Sequence, residues 1–123
     1  MILVDSSVWI AYLRTDVDEL AEALDADDVL LHPFVLGELA CGNLQERTAI
    51  MAWLRRVSIA AVAEREAVLA FIHEHTLMGR GIGYVDMNLL VSAVEMGATL
   101  WTRDRRTGDA AGELNIRHIE RSL

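Results

Sequence analysis

Met1-Ile-Leu-Val-Asp-Ser-Ser-Val-Trp-Ile10 is the stretch that decides how the rest of the chain is read. Its first four residues are apolar and include two with β-branched side chains, which predicts a short buried strand. The run stops abruptly on the carboxylate of Asp5, followed by two hydroxyls. In open α/β sheets ligands sit in the crevice outside the carboxyl ends of the strands, so an acid delivered there is a site candidate. The same residues also suit the start of a helix over Ser7–Arg14, because Asp and Ser accept hydrogen bonds from the first free N–H groups of a helix. On this stretch alone cap and site stand level, and the other acids must decide.

Working outward, Val17, Leu20, Ala21 and Leu24 lay an apolar stripe on a helix over Asp16–Ala26. Asp25, Asp27 and Asp28 then mark a solvated turn, since they lack the Gly and closing Glu of an EF-hand. Val29–His32 is a second short strand, and Pro33 stands at the first turn of a helix that runs to Cys41 and stops at Gly42-Asn43. Glu38 interrupts that apolar helix, where a charge is costly unless it is paired or holds a metal. An amphipathic helix over Glu46–Val57, a brief strand at Ser58-Ile59 and a helix over Glu64–Met78 follow. His73 and His75 lie two apart and face different directions, so they do not make a zinc pair. His32 and His118 fall at strand positions with no ligand partner at suitable spacing.

Gly79-Arg-Gly-Ile-Gly83 resembles a phosphate cradle only superficially, because no strand precedes it and the chain has no lysine. It reads as a flexible hinge passing close to a site, with Arg80 in reach of a phosphate. The helix over Tyr84–Met96 ends at Gly97 and carries Asp86 in its first turn, where the helix dipole favours a carboxylate with or without catalysis. Thr99–Thr102 is a strand ending on Arg103-Asp104-Arg105-Arg106, which repeats the opening pattern of apolar strand and then acid. A helical turn over Gly108–Leu114 and a last strand over Ile116–Ile119 complete an α/β three-layer fold with a mainly parallel sheet.

Bulk composition sets the outer bounds. At 123 residues the chain is expected to form one domain over 1–123, and 53% hydrophobic with 24% charged residues is a globular balance. No apolar tract is long enough to span a bilayer, and the N-terminus lacks a basic region ahead of its apolar run, so a soluble cytoplasmic protein without membrane association is expected. Cys41 is expected to be a small buried apolar residue. All 11 basic residues are Arg, against 19 acids, giving a formal charge of −8. That argues against a polyanionic substrate unless carboxylates hold cations. Two divalent ions would change the count from −8 to −4 and invert the local sign.

Two strands end on acids, Asp5 and Asp104, and two helices carry Glu38 and Asp86 near their N-terminal halves. In a parallel sheet the helix N-termini lie at the edge where the strands end, so the four converge on one crevice. Ionised carboxylates raise one another's pKa unless a cation compensates them, and all-oxygen ligation suits Mg²⁺ or Mn²⁺. Such ions activate water and stabilise the leaving oxygen in phosphodiester cleavage, which predicts a metal-dependent phosphodiesterase.

The stretches MILVDSSVWI, HPFVLGELACGNL, GRGIGYVDMNLLVSA and LWTRDRR, in this order and spacing, resemble the PIN-domain ribonucleases, and among them the VapC toxins of VapBC type II toxin–antitoxin pairs. The resemblance implies a PIN-like, flavodoxin-like α/β/α sandwich and Mg²⁺- or Mn²⁺-dependent endonucleolytic cleavage of RNA. It also implies a homodimer and a cognate VapB-type antitoxin that can place an Arg in the acidic pocket. The family's acidic quartet falls on Asp5, Glu38, Asp86 and Asp104, with its hydroxyls on Ser7 and Thr102. Asn88 stands where relatives often carry His, which bears on substrate positioning. Asp109 is a further nearby acid, suited either to supporting a ligand or to capping the helix after it. Arg80, Arg103, Arg105 and Arg106 are the expected phosphate contacts.

Other uses of such a fold fit less well. A phospho-acceptor receiver needs a lysine facing its acids, and an aspartyl-nucleophile phosphatase needs an Asp where Ser7 stands. A catalytically idle PIN-like binding or regulatory protein remains the alternative, and the intact quartet argues against it.

Overall fold

The structure, a computed structural model, describes residues 1–121. Four parallel strands, β1 (Ile2–Val4), β2 (Val29–Leu31), β3 (Ser58–Ile59) and β4 (Thr99–Trp101), form one sheet in the order β3-β2-β1-β4. Leu3 pairs with Leu30 on one side and Leu100 on the other, so the first strand lies inside the sheet. Side chains of successive strand residues point to opposite faces. Leu3 and Val4 are both fully buried, as are Leu100 and Trp101. Both faces of the sheet are therefore covered, which makes the three layers expected of the sequence.

The covering helices are α1 (Ser6–Thr15), α2 (Asp18–Asp25), α3 (Pro33–Cys41), α4 (Arg47–Leu54), α5 (Arg65–Glu74), α6 (Tyr84–Met96) and α7 (Arg105–Glu113). Helix α6 is buried continuously from Met87 to Ala93, because it is packed between β4 of the sheet and helix α5. Trp9 of α1 is fully buried, with its ring edge-on to Tyr12 and to Trp53 of α4. That cluster fixes α1 and α4 against each other. No helix among the described residues is long and apolar enough to cross a membrane.

Several sequence expectations are corrected. The last segment is no strand: Ile116–Ile119 makes one bridge, at Arg117 to Leu100, and Ile119 is exposed with nothing to pack on. Its backbone still holds Leu100 on both sides, through Leu100 N to Ile116 O and His118 N to Leu100 O. The helix expected at Gly108 begins at Arg105, because Asp104 caps it. Helix α5 ends at Glu74 and not Met78. Cys41 is exposed, at the last turn of α3 and away from the core. His32 is buried where β2 meets α3, and its Nδ1 accepts from the Phe34 N–H as the helix cap. Burial lowers its pKa to about 4, so the ring is neutral.

Candidate functional site

Asp5 caps α1 and is also tied to the end of β4. Its Oδ1 accepts from Ser6 N at 2.7 Å, which starts α1, and its Oδ2 accepts from Ser7 Oγ at 2.9 Å and Thr102 Oγ1 at 2.8 Å. The carboxylate is buried yet satisfied. Neighbouring strand ends are tied by the same groups. Asp5 N donates to Trp101 O, Asp104 N donates to Thr102 Oγ1 at 3.1 Å, and Arg103 N donates to Ser7 Oγ at 3.1 Å. Ser7 and Thr102 thus orient an acid on β1 and the backbone after β4 at once.

Asp104 caps α7 through its Oδ2, which accepts from Thr107 N at 2.9 Å and Thr107 Oγ1 at 2.8 Å. The same Thr107 hydroxyl lies 3.2 Å from Asp86 Oδ2. A hydroxyl carries one proton and serves one carboxylate at a time. The backbone N–H and the hydroxyl of Thr107, aided by the charge of Arg106, lower the pKa of Asp104. Asp86 goes the other way: burial first, then the charges of Asp5, Asp104 and Glu38, push it up to about 6 against the pull of the Thr107 hydroxyl. The charges of the other three acids are therefore all felt at Asp86.

Glu38 is exposed on α3, at the rim of a groove of about 380 Å³ that Ile10, Leu13, Leu39 and Ile50 line with apolar surface. Among the described residues, no three His, Cys, Asp or Glu side chains stand close enough together to form a ready-made metal cage. The chemistry of the donors still fits a hard divalent ion. Every donor is a carboxylate oxygen, and at Asp86 burial and then the neighbouring acids disfavour the charged form, a cost that a hard cation would offset.

The remaining sequence candidates divide. Arg80 is committed to Glu113 of α7 by two hydrogen bonds, at 2.8 and 2.6 Å. This pins the glycine loop that the sequence suggested was a free hinge. Arg103 is likewise held by Glu120, at 2.8 and 3.2 Å, and Glu120 also accepts from Trp101 Nε1. Arg105 and Arg106 are exposed and have no carboxylate partner among the described residues. Asn88 is buried and donates to Tyr84 O, one turn back in its own helix. Asp109 is not a cap, because it lies within α7, where it faces Arg117 at 3.7 Å. His118, far from ordinary, meets Glu19 at 2.7 Å and stacks near Trp101.

Thr107 is the site residue that the sequence reading missed. Its signal was present: an Asp N-cap accepts from the N–H three residues on, which places Thr107 against Asp104. Reading the helix as beginning at Gly108 hid it.

The PIN-domain family profile matches residues 2–113. Ribonuclease VapC32 of Mycobacterium tuberculosis is 42% identical over 117 residues, covering 94% of both chains. Among solved structures, FitAcB from Neisseria gonorrhoeae aligns with a TM-score of 0.64 at 23% identity, over 91% of this chain and 94% of that one. FitAB bound to the IR36 DNA fragment aligns at 0.67 and 21% identity over the whole of both chains. PAE2754 from Pyrobaculum aerophilum aligns at 0.58 and 18% identity, over 89% of this chain and 78% of that one. These three bear on the fold. Taken with the acids at the carboxyl edge of the sheet, the profile and the relative show that the chain belongs to the PIN-domain family, beside the VapC ribonucleases.

Proposed function

We propose that the chain is a cytoplasmic, Mg²⁺- or Mn²⁺-dependent endoribonuclease, the toxin of a type II toxin–antitoxin module restrained by a cognate VapB-type antitoxin. One observation carries the reading: Asp5, Thr102, Asp104, Thr107 and Asp86 form a continuous hydrogen-bonded network at the ends of β1 and β4. The relative named as a ribonuclease supplies the substrate class.

In this reading Asp5, Glu38, Asp86 and Asp104 hold the cation, which when bound supplies Lewis-acid activation of water and of the scissile phosphate. Ser7 and Thr102 keep Asp5 aimed, since both donate to it. Asp86 gives up its proton before it can ligate, so activity falls as the pH drops below about 6. An acidic crevice also suits an arginine from an antitoxin. The similarity to a relative named VapC supports that partner, and a homodimer is part of the same proposal.

Purified protein free of antitoxin is expected to cleave total cellular RNA with Mg²⁺ and to stop in EDTA. Asp5→Asn keeps a capping side chain for α1 but is expected to lose at least about 100-fold in rate, as losses at metal-supporting residues do. Cleavage that survives both EDTA and the substitution would remove the metal mechanism. Absence of cleavage on every RNA would favour the idle binding protein.

A further inference from the structure

Consecutive residues of α7 reach back to α6 and its approach in two different ways. Thr107 turns inward to Asp86. Arg106 turns outward onto the loop before α6, where its side chain lies against Gly81. A Cβ built on Gly81 would stand 2.7 Å from Arg106 Nη1 and 3.1 Å from Cδ and Cζ, and Gly81 has φ of +79°. The left-handed backbone favours glycine there, and any larger residue would push the Arg106 side chain off its present seat. The neighbouring Arg80–Glu113 pair ties this loop to the far end of α7, so the shelf beneath Arg106 is anchored.

From this arrangement we infer that Gly81 and Arg106 form a built phosphate subsite, in which the glycine backbone holds the guanidinium across the outer edge of the acidic crevice for a single-stranded RNA backbone. The inference rests on the ribonuclease reading and goes beyond it by separating the arginines. Arg80 and Arg103 spend their donors on Glu113 and Glu120. Arg106 has no carboxylate partner among the described residues and lies two residues after Asp104. A planar guanidinium held in one place keeps its fork of donors available for phosphate oxygens, which a freely rotating side chain would have to be ordered to present.

The test is fluorescence anisotropy of a short labelled single-stranded RNA on Asp5→Asn protein at fixed Mg²⁺, titrated at several salt concentrations. Loss of one phosphate contact lowers the slope of log K against log salt by about 0.7 for a single strand, about fivefold in affinity over a decade of salt. Arg106→Ala is expected to show that loss, while Arg106→Lys keeps the slope and binds more weakly than the parent. Gly81→Ala is expected to weaken binding when Arg106 is present and to add nothing to Arg106→Ala. The melting temperature is expected to stay the same in the Arg106 variants. An unchanged slope in Arg106→Ala, or a Gly81→Ala effect of equal size in both backgrounds, would overturn the subsite. Cleavage by the protein with Asp5 intact is scored separately. If cleavage is absent while the slope changes as expected, the subsite stands and the ribonuclease chemistry falls.

Discussion

Asp86 is where burial and mutual repulsion meet on one side chain. Its folded pKa of about 6 stands above the ordinary 3.8, so the folded protein keeps a proton that the unfolded chain has already released between those values. Stability from this group is present at low pH and is lost as the pH rises through about 6. Asp86→Asn removes the ionisable group and with it that loss. Because the carboxyl is only partly buried, the gain is discounted to about 1 kcal/mol, a rise of roughly 3–6 °C in melting temperature for a chain of this size. Thermal melts in EDTA are expected to show the variant above the parent at pH 7.5 and level with it near pH 4. A variant that melts lower at pH 7.5 would contradict the charge argument. Asp5, Asp86 and Asp104 were legible in the sequence because each stands at the edge of an apolar run. The link from Thr107 to Asp86 was not, since its hydroxyl reaches an acid 21 residues away in sequence only when the helices are packed.

Helix α7 couples folding to the site, because its cap is one of the four acids. Asp104→Asn keeps an oxygen to accept from Thr107 N, whereas Asp104→Ala leaves that N–H without its partner and is expected to cost about 1 kcal/mol. Both are expected to abolish RNA cleavage, and urea denaturation separates them: the Asn variant should unfold near the parent midpoint and the Ala variant earlier. Equal midpoints would mean that the cap contributes nothing. The boundaries of α7 and of the final segment were misread for related reasons. Gly108 and Gly112 weaken the helical signal over 105–113, but the buried contacts of Ala110 and Ala111 override it. Ile116 to Ile119 has the apolar ends of a strand, yet only one bridge joins it to the sheet. It serves as a strap, with Glu120 gripping Trp101 and Arg103 and with His118 on Glu19.

Across the whole molecule, a chain of formal charge −8 carries an Asp86 on which Asp5, Asp104 and Glu38 all act, so a divalent cation is expected to stabilise the fold under the proposed reading. At a Mn²⁺ concentration 100 times its dissociation constant the gain is about 2.7 kcal/mol. Differential scanning fluorimetry should register it as a rising melting temperature, reversed by EDTA and much reduced in Asp104→Asn. A melting temperature indifferent to Mn²⁺ would count against the metal site. The fold was legible at this scale because short apolar runs alternate with amphipathic helices, and parallel pairing follows from that alternation. What pairing places side by side is far apart in the order of synthesis. The Asp5–Thr102 hydrogen bond joins residues 97 positions apart, and β1 has its β4 neighbour only once nearly all of the described chain exists. On the ribosome, the growing polypeptide has no linked acids at the ends of β1 and β4 until Asp104 and the first turn of α7 have been added.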